Sequence, residues 1–274
     1  MKSVLFSIGN FNIYGYGFMI ALGIIAAYIV TEKRAPSQGL DPNPIIDLTI
    51  TCAIGGLLGA KLLYLITIWE KIVKDPSVLL SSLTDGFVVY GGIIGGILVG
   101  YVFTRIKKLS FLKHFDLVMP SIALAQAFGR IGCFLAGCCY GKETTHAFCV
   151  VFPEGSLAPA GVPLIPTQLI SSGLNFLHFL FLVLFAAKWK KADGQVGFLY
   201  LICYSAGRFI LEFFRGDAIR GTVGALSTSQ FIAVFLFAIG VIGFAVCTKM
   251  KFGQTKQEAE KPESEMTETE KPEN

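Results

Sequence analysis

Along most of this chain, polar positions do not alternate with apolar ones but sit at the ends of long apolar runs. Seven such runs lie near residues 13–31, 45–66, 87–104, 115–135, 166–186, 196–214 and 229–248. Several reach the roughly 17–20 residues that cross a hydrocarbon core as a helix. Glycines recur inside them: Gly55, Gly56 and Gly59 in the second, and Gly91, Gly92, Gly95, Gly96 and Gly100 in the third. The stretch GGIIGGILVG holds overlapping small-xxx-small patterns, which let helix backbones approach closely. The pattern predicts an all-α integral membrane protein, a bundle of about seven transmembrane helices.

Composition strengthens this reading. Only 15% of the residues are charged and 53% are hydrophobic, whereas a soluble domain carries about 25% charged residues. Lipid rather than water must cover much of the surface. The placement of charge then orients the bundle. Lys33 and Arg34 follow the first run, Arg105, Lys107, Lys108 and Lys113 the third, Lys188, Lys190 and Lys191 the fifth, and Lys249 and Lys251 the seventh. The alternate loops are poorer in Lys and Arg. Basic loops stay cytoplasmic, so the N-terminus is expected outside and the C-terminus in the cytoplasm. The first run has one lysine before it, Lys2, and no small-x-small cleavage site, so it reads as an uncleaved span. Residues 1–252 read as a single transmembrane domain. Residues 253–274 are acidic, carry no aromatic side chain and are expected to form a disordered cytoplasmic tail. Two longer outer segments lie at about 67–86 and 136–165; the FPEGSLAPAGVPLIP stretch of the second suggests an irregular lid or short hairpin.

Ionisable residues within spans are expensive and mark function by default. The candidates are Lys61, Asp116, Arg130, Arg208, Glu212 and Arg215. Arg208 and Glu212 are four apart, share a helix face and can pair. Arg215 sits where a side chain snorkels to the interface, and Asp116 reads as a helix-start carboxylate favoured by the macrodipole. Two or three guanidinium groups are expected to converge on one cavity at the outer leaflet. Guanidinium is planar, always charged and binds phosphate through paired bonds, so recognition of an anionic phospholipid follows. An ion or solute path is the rival use of the same arginines.

The stretch GRIGCFLAGCCYG, Gly129 to Gly141, resembles the signature of the phosphatidylglycerol–prolipoprotein diacylglyceryl transferases, G-R-[IL]-G-N-F-x-N-G-E-x-x-G. Further blocks resemble that family in order: IYGYGFMIALGI, GGLLGAKLLY, VVYGGIIGG, PTQL, GRFILEFFRGD and LSTSQ. The resemblance runs from about residue 10 to 250. It implies transfer of the diacylglyceryl group of phosphatidylglycerol to the lipobox cysteine thiol of a prolipoprotein signal peptide. That is the first step of lipoprotein maturation, at the bacterial inner membrane. It implies Arg130, Arg208, Glu212 and Tyr90 as catalytic positions, and Tyr16, Lys61, Arg130, Gly141, Gln168 and Gln230 as substrate-binding ones. It implies no cofactor, no metal and no nucleic-acid partner. Several positions depart from the family: Tyr90 stands for a histidine, Cys133 for the signature asparagine, Cys138 for the signature glutamate, and Ile165 for another histidine. These departures leave the general base open and keep a different acceptor in view.

Seven cysteines complete the inventory. Cys52, Cys203 and Cys247 fit small buried filler. Cys133, Cys138, Cys139 and Cys149 cluster near the outer end of the fourth run, with His146 close by. Free thiols in place of polar family residues lead; a disulfide on the oxidising side and a metal site, whose spacing fits no usual zinc pattern, are the alternatives.

Overall fold

Each apolar run becomes a helix. In a computed structural model that describes residues 4–8, 11–82, 86–217 and 221–250, the helices are α1 (Gly15–Arg34), α2 (Pro44–Thr67), the short α3 (Trp69–Lys74) and α4 (Ser77–Ser81), α5 (Val89–Ile106), α6 (Phe111–Ala136), α7 (Thr167–Lys188), α8 (Gln195–Glu212) and α9 (Thr228–Met250). Among the described residues, six of them (α1, α2, α5, α6, α7 and α9) are long and apolar enough to cross a membrane. The seventh expected span, α8, has 18 residues and carries Arg208 and Glu212. The tail expected at 253–274 lies outside the described residues. Local chemistry sets several ends. Pro44 opens α2, where a missing N–H is harmless. Gly137, with φ 72°, follows the last residue of α6 and supplies the left-handed turn that ends a helix. Large apolar side chains such as Leu58, Leu62, Ile94 and Ile242 stay exposed, as lipid-facing positions do.

The chain packs as two compact units, Ile25–Leu117 and Met1–Ile24 with Val118–Asn274. In the first, α2 and α5 meet through their glycines. A Cβ on Gly95 would lie 2.5 Å from the Gly55 carbonyl oxygen and 3.0 Å from the Gly59 Cα, so only glycine permits this approach. A small core of Ala35, Ile45 and Leu117 is packed by Tyr28 and Leu40. Asp116 is fully buried in the second turn of α6, not at a helix start as expected. Lys61 donates to the backbone carbonyls of Ser82 and Gly86 and lies 4.7 Å from the Phe87 ring centroid, tying down the segment before α5.

The second unit begins with a hairpin, β1 (Val4–Ile8) antiparallel to β2 (Phe11–Tyr14). The first span therefore starts at Gly15 rather than near 13, because the strand's own apolar residues run into the helix without a break. Ala123, Leu182, Val196 and Tyr200 form the core shared by α6, α7 and α8. Helix α9 packs on α8, where a Cβ on Gly240 would meet Ile202 Cγ1 at 2.8 Å. Between α6 and α7, β3 (Val150–Val151) pairs with β4 (Pro163–Leu164) over Phe152, Ala158 and Leu164. Phe134 of α6 meets Phe152 edge-on at 5.9 Å, anchoring the short hairpin that the prolines suggest. A last pair, β5 (Thr222–Val223) with β6 (Leu226–Ser227), leads into α9.

Candidate active site

One face of α7 forms the wall of a cavity of about 310 Å³, with α6, α8 and the segments that follow them completing it. Its two ends differ in chemistry. Thr167, Ser171, Arg130, Cys139, Arg208 and Arg215 line it near the start of α7, and Leu174, Leu177 and Phe181 line it further along. Thr167 and Phe181 are about 21 Å apart along the helix at ~1.5 Å per residue. Facing the middle, His178 stacks on Tyr200 at 5.2 Å, and Tyr200 stacks on Tyr204 at 5.7 Å. The cavity is thus cationic at one end and apolar at the other.

The three arginines are held differently. Arg208, one turn before the end of α8, donates to the Glu212 carboxylate and to Ser229 Oγ at 2.8 Å. Both side chains of the pair are nearly buried, 13% and 9% exposed. Arg215 does not snorkel as expected. Its side chain is 7% exposed and grips Asp217 through two bonds, Nε–Oδ1 at 2.9 Å and Nη2–Oδ2 at 2.7 Å. Burial works against its charge, but Asp217 and the Cys139 sulfur outweigh burial and hold its pKa above the ordinary guanidinium value. Arg130, on α6, is half-buried and makes no hydrogen bond or ion pair among the described residues.

The loop after α6 brings sulfur to this cavity. Gly137 and Cys139 both take positive φ, 72° and 63°, the second being uncommon for a residue with a Cβ. The loop is pinned from two sides. Gln168 Nε2 donates to the Cys138 carbonyl at 2.8 Å, and Thr167 Oγ1 donates to the Cys139 carbonyl at 2.9 Å. The Gly216 N–H reaches the Tyr140 carbonyl at 3.1 Å, and the Gly141 N–H reaches that of Ile165 at 3.0 Å. A Cβ on Gly141 would sit 2.5 Å from that Ile165 oxygen, so glycine is required. The sulfurs of Cys133, Cys138 and Cys139 lie within 4.8 Å of one another. All seven cysteines are free thiols, and Cys149 and His146 are not part of the cluster. Hydrogen bonds from Cys133 and Cys138, then Arg215, hold the Cys139 thiol well below the usual thiol range. The same neighbours push the Cys138 thiol up.

The expected site residues divide. Arg130 and Arg208 line the cavity together. Glu212 is bound to Arg208. Tyr16, in the first turn of α1, is 44% exposed, and its backbone packs against Gly132 of α6. Gly141 and Gln168 hold the cysteine loop by backbone contacts. Gln230 caps α9: its Oε1 accepts from the Ser227 N–H at 3.1 Å. Tyr90, 39% exposed at the start of α5, and Lys61 belong to the unit Ile25–Leu117, whereas the cavity walls belong to the other. Arg215, read from the sequence as an interfacial cation, and Cys139, read as a free thiol, also line the cavity. The FFRGD spacing, which puts a carboxylate two residues after Arg215, was a signal for the first. For Cys139 no local signal exists.

A helical membrane protein with guanidinium groups at one end of an apolar cavity is of the class that handles anionic amphiphiles. Residues 3–246 match the family described as prolipoprotein diacylglyceryl transferase. The chain is 49% identical over 243 residues to phosphatidylglycerol–prolipoprotein diacylglyceryl transferase 2 of Clostridium perfringens (strain 13 / Type A), covering 88% of this chain and 94% of the relative. To the Clostridium tetani (strain Massachusetts / E88) phosphatidylglycerol–prolipoprotein diacylglyceryl transferase it is 49% identical over 246 residues, covering 90% and 98%. The Finegoldia magna enzyme of that name is 35% identical over 242 residues, covering 88% and 94%. The chain belongs to the prolipoprotein diacylglyceryl transferase family and is a multi-pass membrane transferase.

Proposed function

We infer that the chain transfers the diacylglyceryl group of phosphatidylglycerol to the lipobox cysteine of a prolipoprotein signal peptide. The cavity opens to the outer leaflet in this reading. One observation carries it: Arg130, Arg208 and Arg215 meet at one end of a cavity whose other end is apolar. That polarity matches a phospholipid, with the phosphodiester among the guanidinium groups and an acyl chain along Leu174, Leu177 and Phe181.

The acceptor thiolate attacks the diacylglyceryl carbon that bears the phosphate ester. A C–S bond forms, the C–O bond breaks, and its electron pair leaves with glycerol phosphate. Charge on the departing phosphate grows, and donors fixed in a water-poor site stabilise that growth without reorganising. Arg130, uncommitted among the described residues, is the primary phosphate ligand. Arg208 offers what Glu212 and Ser229 leave free. Glu212 positions Arg208; it is already bonded to that cation and does not take the substrate proton. Tyr16 supplies a hydroxyl to the headgroup. Gln168 and Gln230 act through the backbone they hold.

The test uses purified protein, phosphatidylglycerol labelled in the acyl chains, and a lipobox peptide. A thioether-linked diacylglyceryl peptide is the expected product, and Arg130→Ala and Arg208→Ala each abolish it. Solute flux without product, or lipid turnover to another acceptor, overturns the reading.

A further inference from the structure

Three of the seven cysteines are brought together by the way α6 ends. The Cys138 N–H bonds the Cys133 carbonyl at 3.1 Å, and the Gly137 N–H bonds that of Phe134 at 3.2 Å. With Gly137 at φ 72°, these are the paired bonds of a left-handed helix terminus. Such a terminus sets the side chain two residues past the helix against one on its last turn, here Cys138 against Cys133. The Cys138 thiol also donates to the Cys133 carbonyl at 3.6 Å. Cys139 follows at φ 63°, and the three sulfurs lie within 4.8 Å of one another. Gln168 and Thr167 pin the Cys138 and Cys139 carbonyls, so the cluster is held by elements on both sides of it.

We propose that Cys133, Cys138 and Cys139 are a three-thiolate site for a thiophilic divalent cation, zinc foremost. Three points mutually within 4.8 Å have a centre no more than about 2.8 Å from each, and a zinc–thiolate bond is about 2.3 Å. Side-chain shifts of about 0.5 Å therefore close the site. Thiolates select soft cations over magnesium and calcium, which take oxygen ligands. Zinc adopts three protein ligands with a fourth position left to a water or other small ligand. Cys149 and His146 stay outside the cluster, which is why the spacing fits no four-ligand pattern. Two of the ligands, Cys133 and Cys138, stand where the signature has asparagine and glutamate, so the site is a property of this chain and not of the transfer chemistry.

The surroundings suit such an ion. Three thiolates on a divalent cation leave a single net negative charge. Arg215 hydrogen-bonds the Cys139 sulfur, and Arg130 lies within electrostatic reach of Cys133. A donor to a ligating sulfur is the kind of outer contact that orients metal ligands. Gln168 gives an independent sign. It is 1% exposed and its Nε2 is engaged by the Cys138 carbonyl. Its Oε1 is nonetheless buried with no hydrogen-bond partner among the described residues. A buried acceptor left open beside a ring of ligands is accounted for by an ion and its water, and the fourth position supplies that water.

The test uses full-length protein in micelles, stripped of metal by a chelator under reductant. Lipid and peptide are left out, so the result does not depend on the transferase reading. Cadmium is the probe, because its thiolate complexes absorb in the ultraviolet, and zinc is the competitor. Titration is expected to raise a thiolate-to-cadmium band that saturates at about one ion per chain. Zinc is expected to abolish the band and magnesium to leave it unchanged. Cys133→Ser, Cys138→Ser and Cys139→Ser are each expected to weaken binding by more than about 100-fold, beyond the loss of an outer partner. Cys149→Ser and Cys203→Ser are expected to bind as the wild type does. Thermal melting without metal checks that each variant is folded; added zinc is expected to raise the melting temperature of the wild type and not of the three cluster variants. A titration of the wild type without the ultraviolet band overturns the proposal. Equal binding by the three cluster variants, which marks an adventitious ion only, overturns it too. So does a disulfide joining two of the three sulfurs in protein purified with zinc present.

Discussion

Arg208 and Arg130 line one cavity but are held so differently that their removal separates stability from chemistry. Arg208 is paired with Glu212, with both side chains nearly buried. Arg208→Ala therefore leaves a carboxylate without its cation, and breaking a buried pair in this way costs about 3–5 kcal/mol. For a chain of this size that lowers the melting temperature on the order of 10 °C. Arg208→Ala combined with Glu212→Gln removes the orphaned charge and is expected to regain most of that loss, while transfer stays abolished. Arg130 has no such partner, so Arg130→Ala is expected to melt within about 0.5 kcal/mol of wild type, as a change far from any structural pair does. Its turnover is nonetheless expected to fall by about 10²–10³, the effect of losing one fixed donor to a developing anion. Thermal unfolding is measured in micelles free of phosphatidylglycerol, so that bound lipid does not mask the change, and transfer is measured with the lipid restored. A double variant as unstable as Arg208→Ala would refute the positioning role of Glu212. A double variant with wild-type turnover would refute the phosphate role of Arg208.

Three more outcomes follow from the packing. Gly95→Ala is expected to destabilise the α2–α5 contact by about 1–3 kcal/mol, because its Cβ would sit 2.5 Å from the Gly55 carbonyl oxygen. Gly96→Ala, whose Cβ would meet nothing closer than Cys52 O at 3.7 Å, is expected to be neutral or to stabilise by up to about 1 kcal/mol; thermal melts of the two variants compare them directly. Gln168→Leu leaves the Cys138 carbonyl without its donor and is expected to lower stability by about 1–3 kcal/mol.

Much of this was legible in the sequence. The spans were, because an apolar run of membrane length has few alternatives once lipid is the solvent. The α2–α5 glycines were, because their spacing repeats the helix period. Arg208 and Glu212 were, because four residues on a helix bring two charges to one face. What failed was tertiary. Arg215 looked like an interfacial cation, and only the fold shows it buried against Asp217 and Cys139. Gln168 and Gln230 resemble headgroup ligands, and the fold adds a second use the sequence does not show: Gln168 Nε2 holds the Cys138 carbonyl and Gln230 Oε1 the Ser227 N–H. The hairpin at Val4–Tyr14 was hidden because its apolar residues continue into α1. The cysteine loop was visible as an oddity, but its meaning depends on α7 and the segment after α8, both distant in the chain.

The cavity's charge explains why such a site survives in a membrane-spanning bundle. Three guanidinium groups at one level would repel each other and lose hydration, a burden that lipid does not relieve. Two are offset locally, Arg208 by Glu212 and Arg215 by Asp217. Each carboxylate comes from the same short segment as its arginine, so the offset forms as soon as the local chain does. Arg130 lacks an ion-pair partner among the described residues. The arrangement is thus close to neutral at rest, holding one cation open to a phosphate. It can receive a monoanionic lipid without accumulating charge. Replacing Glu212 or Asp217 with a neutral residue would therefore tighten anion binding while weakening the discharge of product, so lipid affinity and turnover are expected to move in opposite directions.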